Sequence, residues 1–212
     1  MEWTAIILAG GKSSRMGTNK AVLPLGGQPV IEHLVRELQK ATGNIVISCG
    51  QSSEYAELGL PLLYDIYPRC GPLAGLHAGL AASPHRWNLV VSCDMPFVNA
   101  SLAQYLVKQA LELEGRGAED GGRAIEAVIP RVNGQIHPLL AMYRCTVLPG
   151  LEQMLDDGCL KVKQWTSGLA VRYITGEELS RASGIPLEMI VFNMNRPEDY
   201  QAAQFYFEQN KT

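Results

Sequence analysis

The residues Leu8-Ala9-Gly10-Gly11-Lys12-Ser13-Ser14-Arg15-Met16-Gly17-Thr18-Asn19-Lys20 combine a glycine pair with spaced cationic side chains. Gly10 and Gly11 let the main chain approach a ligand closely, and successive N–H groups in such a turn form a nest for anions. Arg15 supplies a forked donor for phosphate, and Lys20 a mobile point charge. Together they suit a triphosphate. The glycine spacing excludes Gly-x-x-x-x-Gly-Lys-Ser/Thr, and Gly-x-Gly-x-x-Gly is absent, so neither a Walker ATPase nor an ordinary NAD site is expected. By composition alone, the same loop also reads as a tight turn with solvated charges.

Two carboxylates and two amides extend this set. Asp94 follows the apolar run Leu89-Val90-Val91 and precedes Pro96, which stops a regular internal strand. That placement presents a carboxylate where a hard Mg²⁺ ion can link it to phosphate oxygens, although an Asp after a strand also serves as a turn former. Asp65 follows a second apolar run, and its carboxylate can accept donors from a ligand or stabilise its own loop. Asn193 and Asn195 lie two apart after Ile190–Phe192; in extended geometry both would face one side, while Asn195 also suits the cap of a helix opening at Pro197. His137 precedes Pro138 and fits a ligand contact or a structural role equally.

These residues need a scaffold that gathers them. Trp3 to Leu8 reads as a first strand stopped by Gly10-Gly11. From Pro29 to Thr42, Ile31, Leu34, Val35 and Leu38 recur at helical spacing, and Gly43 ends the helix. The alternation continues with strands at Ile45–Cys49, Leu62–Tyr64 and Leu89–Ser92 and helices at Pro72–Ala82 and Ser101–Leu111. Beyond these the spacing predicts a strand at Ala127–Pro130, a short helix around Leu148–Leu155, strands at Val171–Ile174 and Ile190–Phe192, and a final helix from Pro197. Strands separated by helices imply an α/β fold with a mainly parallel sheet, in which ligands collect at the carboxyl ends of the strands. Glu112–Arg123, rich in glycine and charge, reads as a mobile surface loop.

The chain has 212 residues, 47% of them hydrophobic, enough for one domain with a sizeable core. A formal charge of −3 gives no general basic field for a nucleic acid. The start lacks a basic leader, and the apolar run from Ala5 is too short for a signal core or a membrane span, so a cytoplasmic protein is expected. Five cysteines without a Cys-x-x-Cys pair argue for reduced thiols rather than a disulfide framework or a zinc site.

The string Leu8-Ala9-Gly10-Gly11-x-Ser13-x-Arg15-Met16-Gly17-x-x-Lys20 resembles the signature loop of the MobA-like nucleotidyltransferases, the molybdenum cofactor guanylyltransferases above all. The likeness continues in order through Gly71-Pro72-Leu73-Ala74-Gly75, Cys93-Asp94-Met95-Pro96, His137-Pro138 and Asn193-Met194-Asn195. It implies a Rossmann-like three-layer sandwich of the nucleotide-diphospho-sugar-transferase type. It also implies transfer of GMP from GTP to the terminal phosphate of molybdenum-molybdopterin, with release of pyrophosphate. On that resemblance Asp94 would hold Mg²⁺, and Arg15, Lys20 and Asp94 would be catalytic. Leu8, Ala9, Gly10, Gly11, Lys20, Asp65, Gly71, Pro72, Leu73 and Asp94 would bind nucleotide, and His137, Asn193 and Asn195 the acceptor. Transient contact with proteins that deliver or receive the cofactor would follow.

Ser48-Cys49-Gly50 stands where some family members carry asparagines, which leaves open a relative using CTP on molybdopterin or on another small phosphate. A nucleotide-binding protein without activity is a second alternative. It would need to have lost a metal or phosphate contact, yet Lys20 and Asp94 are both present.

Overall fold

The computed structural model describes residues 2–10, 19–114 and 123–209. In chain order these form β1 (Thr4–Leu8), the short ribbon β2 (Pro24–Leu25) and β3 (Gln28–Pro29), α1 (Val30–Gln39), β4 (Ile45–Gly50), β5 (Leu62–Tyr64), α2 (Pro72–Ala82), β6 (Trp87–Ser92) and α3 (Ala100–Glu114). The second half contributes β7 (Ala127–Val132), β8 (Gln135–Ile136), β9 (Leu140–Arg144), α4 (Leu148–Asp156), α5 (Val162–Ser167), β10 (Val171–Thr175), α6 (Gly176–Ser183), α7 (Leu187–Ile190) and α8 (Pro197–Gln209).

Among the described residues the main sheet runs β10-β7-β9-β6-β1-β4-β5, with β8 paired to β7. Neighbouring strands β6, β1, β4 and β5 are parallel, as are β7 and β10, whereas β9 runs antiparallel to both β6 and β7. The mainly parallel sheet expected from the alternation is therefore present, with β9 inserted antiparallel between β6 and β7 and β8 antiparallel beside β7. Periodicity did not reveal β9, because Leu140–Arg144 is buried on both faces and carries no alternation.

Alternate residues of β1 serve two cores. Ala5 and Ile7 join the layer containing α1, α3 and α6, while Ile6 and Leu8 join the layer of α2, α4 and α5. All five residues of β1 are buried, as a central strand covered on both faces requires. A third cluster of Leu25, Val30, Phe97, Met194 and Ala203 holds α8 against the β2–β3 ribbon. Phe97 packs its ring on Phe192, Tyr206 and Phe207 at centroid distances of 5.5, 4.8 and 5.8 Å.

Two expectations need correction. Ile190–Phe192 is not a strand: Leu187–Ile190 forms a turn of helix after Pro186, Ile190 is buried in the first core, and Phe192 leaves to join the Phe97 rings. An apolar run of that length cannot tell strand from helix by periodicity. The charge-rich segment from Glu112 also begins as helix rather than loop, since α3 continues to Glu114. Glu114 accepts ion pairs from Arg86 at 3.1 Å and Arg144 at 3.8 Å, which tie the last turn to β6 and β9. Residues 115–122 of that segment lie outside the described residues.

Candidate active site

The carboxyl ends of β1, β4, β5 and β6 open onto one cleft of about 1160 Å³. That exceeds the roughly 300–1,000 Å³ of ordinary small-ligand sites and leaves room for two bound partners. Leu8, Ala9 and Gly10 carry β1 into it. A Cβ on Gly10 would meet the Gly50 nitrogen at 2.9 Å, so the two main chains cross too closely for any side chain. Ala9 N–H donates to the Ser48 carbonyl at 2.8 Å and Cys93 N–H to the Leu8 carbonyl at 3.0 Å, fixing the ends of the three adjacent strands in register.

Lys20 begins a short turn, Lys20–Val22, capped by Asn19, whose side-chain oxygen accepts from Ala21 N–H at 3.1 Å. Its ammonium donates to Asn195 Oδ1 at 2.7 Å and lies 3.6 Å from Asp94 Oδ2. Asp94 sits in the turn after β6, where Met95 N–H donates to the Ser92 carbonyl at 3.1 Å. Asn195 reaches the cleft because Met194 N–H donates to the Asp94 carbonyl at 2.9 Å, while the Asn195 and Arg196 amides both donate to Asp199 Oδ2, in the first turn of α8, at 2.8 Å. Residues separated by most of the chain thus converge on one ammonium.

The other wall carries buried polar groups. Asp65 donates its main-chain N–H to the Gly50 carbonyl at 3.0 Å. Burial pushes its carboxyl above the usual range, and its Oδ1 is buried without a hydrogen-bond partner among the described residues. Ser48 Oγ is likewise buried without a partner among them and lines the same cleft. Buried polar atoms are nearly always paired, so two orphans on one wall mark places for ligand groups. Gly71 and Pro72 complete this side at the start of α2. Cys93 also lines the cleft, and burial with the neighbouring Asp94 charge pushes its thiol up to about 12, which keeps it protonated and unreactive.

The structure therefore brings Leu8, Ala9, Gly10, Lys20, Asp65, Gly71, Pro72, Asp94 and Asn195 to one cleft. Gly11 and Arg15 lie outside the described residues. Leu73, the second residue of α2, is fully buried and supports the wall rather than lining it. Asn193 does not share a face with Asn195, because the segment is not a strand; its amide donates to the Val191 carbonyl at 2.7 Å. His137 is also absent from the lining, although Leu139 two residues on is there. Its N–H donates to the Pro130 carbonyl at 3.0 Å, and burial beside Lys163 lowers its pKa. Asn19 and Arg69, given no role from the sequence, also line the cleft, as does Ser48, noted there only as standing where some family members carry asparagines. Ser48 and Arg69 follow the rule that already singled out Asp65, being placed at or after the carboxyl end of a parallel strand.

A divalent ion can be accommodated. No cluster of three or more metal-ligating side chains occurs among the described residues, which argues against a site enclosed by protein alone. Magnesium needs no such cage: one or two carboxylates and substrate phosphates commonly complete its shell with water. Asp94, with a side chain one-fifth exposed, meets that requirement. No helix among the described residues is long and apolar enough to cross a membrane.

The sequence pattern of the MobA-like NTP transferase domain matches residues 5–170, which run from β1 through α5. The chain belongs to this family. A probable molybdenum cofactor guanylyltransferase of Pelotomaculum thermopropionicum is 32% identical over all of this chain and 97% of its own length. One from Carboxydothermus hydrogenoformans is 33% identical, covering 93% of each chain. The crystal structure of molybdopterin-guanine dinucleotide biosynthesis protein A from Archaeoglobus fulgidus superposes with a TM-score of 0.81 at 25% identity, over 97% of this chain and 99% of that one. Its likeness reaches past residue 170, so the MobA-like architecture extends to the α8 region that supplies Asn195.

Proposed function

We propose that this MobA-like chain transfers GMP from GTP to the terminal phosphate of molybdenum-molybdopterin, releasing pyrophosphate and giving the molybdopterin guanine dinucleotide. The observation that carries the reading is the convergence of Lys20, Asp94 and Asn195 across the carboxyl end of β6. The full-length relatives named as guanylyltransferases supply the substrate class.

A phosphate monoester has its second pKa near ~6, so the acceptor oxygen is largely ionised at neutral pH without a general base. The protein's task is to hold two anions together and offset the charge that builds on the α-phosphate and the departing pyrophosphate. Lys20 supplies a positive charge on the described wall, and Asn195 fixes its ammonium without adding negative charge. Asp94 would hold Mg²⁺, which when bound neutralises phosphate oxygens and polarises the bond to the leaving group. The Gly10 main chain and, by family resemblance, Gly11 and Arg15 complete the phosphate contacts. Asp65 offers its unpaired oxygen to a group rich in donors. Guanine presents adjacent N1–H and N2–H donors to such a carboxylate, whereas cytosine sets an acceptor beside its single amino group, and this favours GTP over CTP.

The test incubates purified protein with Mg²⁺, molybdenum-molybdopterin and, in turn, GTP, CTP and ATP, and follows pyrophosphate. Release with GTP well above the other two is expected. Preferential release with CTP would overturn the base assignment, and binding of GTP without release would support a non-catalytic protein.

A further inference from the structure

Tyr55 is a buried residue outside every motif that resembles the family, and it does not line the cleft. Its phenol nevertheless touches both flanks of the signature loop. The hydroxyl donates to the Ala9 carbonyl at 3.0 Å, and accepts from Asn19 Nδ2 at 2.8 Å. Ala9 is the last residue before the glycine pair, and Asn19 is the residue before Lys20. The orientation of the Asn19 amide is not arbitrary. Its oxygen is committed to Ala21 N–H, so its nitrogen must face the phenol, and the second amide proton goes to Glu54 Oε2 at 2.6 Å. Burial pushes the Tyr55 hydroxyl up to about 12, so it keeps the proton that this arrangement needs at any physiological pH.

We propose that Tyr55 is a positioning residue for nucleotidyl transfer, a clasp that fixes Ala9 relative to Asn19 and thereby sets Lys20 against Asp94 before substrate arrives. This rests on the function proposed above. The physical gain is preorganisation. Two points of the cleft wall, Ala9 and Asn19, are already tied by one rigid group, so less ordering cost falls on binding and on the transition state. A long flexible side chain in that place would lose its own rotamer freedom in making the same two contacts, whereas a tyrosine ring held in the core has little left to lose. Glu54 strengthens the far side of the clasp by holding the same amide.

A purely structural tyrosine would fill space beside Ala9, Ala21 and Cys49 in the first core, and phenylalanine would serve equally. The test therefore compares Tyr55→Phe, Asn19→Ala and the double variant with the parent chain. Full steady-state kinetics are measured well below each unfolding transition, and rates are expressed per folded molecule. Tyr55→Phe is expected to lower kcat with the nucleotide about tenfold while the KM for the acceptor stays unchanged, as loss of a buried, geometry-setting hydrogen bond predicts. Asn19→Ala is expected to do the same, and the double variant to be no slower than the slower single, because both break one linkage. A rate for Tyr55→Phe equal to that of the parent, or effects that multiply in the double variant, would overturn the clasp. The comparison uses whichever nucleotide the parent chain turns over, so a preference for CTP would refute the guanylyl assignment and leave the test of Tyr55 intact.

Discussion

Helices α1 and α2 lie on opposite faces of β1 and are built in contrasting ways. α1 is amphipathic: Val30, Ile31, Leu34, Val35 and Leu38 face the sheet, and charged residues such as Arg36 face water. α2 is apolar nearly throughout and buried from Leu73 to Leu80, because the sheet covers one side and α4 another. The approach differs too. α1 stands off the sheet on large aliphatic side chains, whereas α2 rests on glycines. A Cβ at Gly75 would fall 2.5 Å from Ser48 Oγ, and one at Gly79 would fall 2.3 Å from Ile6 Cγ2. The difference follows which helix borders the cleft, since Pro72 and Gly75 of α2 line it. α1 stabilises the fold from a distance, and α2 comes close because its first turn is a wall of the cleft.

That contrast can be broken by substitutions whose effects on stability and on activity run in opposite orders. Leu34→Ala should produce the largest loss of stability, about 2–5 kcal/mol for a fully buried leucine, with kcat and KM per folded molecule unchanged. Gly79→Ala should come next, at about 1–2 kcal/mol. Ile6 is fully buried and β-branched and cannot turn away, so overpacking outweighs the alanine's helix propensity. Gly75→Ala should cost less than about 1 kcal/mol, since Ser48 Oγ can rotate, but that rotation moves the cleft wall and should raise the nucleotide KM severalfold. Denaturant melts paired with steady-state kinetics check all three. If Gly75→Ala and Gly79→Ala behave alike in KM, the assignment of the first turn of α2 to the cleft is wrong.

The smallest effect on stability should be a gain. The carboxyl of Asp65 is raised by burial, so the folded state binds its proton more readily than the unfolded chain. Ionisation therefore costs stability, and the cost grows as pH rises from the unfolded chain's pKa through the raised folded value. Asp65→Asn removes the buried charge and should raise Tm by about 1–3 °C at pH 7, an advantage that disappears in acid. The same change should weaken discrimination for GTP, because it replaces one of the two acceptor oxygens facing guanine's adjacent donors with a donor NH2. A lowered Tm with unchanged base preference would place Asp65 in loop support alone.

Much of this was legible in the sequence because local chemistry and fold agree. Leu62–Tyr64 and Pro72–Ala82 have in the structure the bounds that their apolar runs and flanking breakers predict. Asp65, Asp94, Gly10 and Lys20 could be selected because each follows a strand or a glycine turn. What escaped was set by distant contacts. β9 has no periodic signal, and Glu114 reads as loop until Arg86 and Arg144 are seen to neutralise it. Asn195 reaches Lys20 through a hydrogen bond between Met194 and Asp94, which no spacing in the sequence encodes. Tyr55 gave no signal, since its importance rests on two hydrogen bonds to residues far away in the chain.

Lys20 and Asp94 are expected to lower the barrier to transfer, and the decisive experiment follows pyrophosphate release from GTP and molybdenum-molybdopterin with Lys20→Ala and Asp94→Ala, each compared with the parent at equal folded fraction. Each variant is expected to retain its folded structure at the assay temperature and to lose at least about a hundredfold in kcat. Turnover at the parent rate in either variant would contradict this expectation.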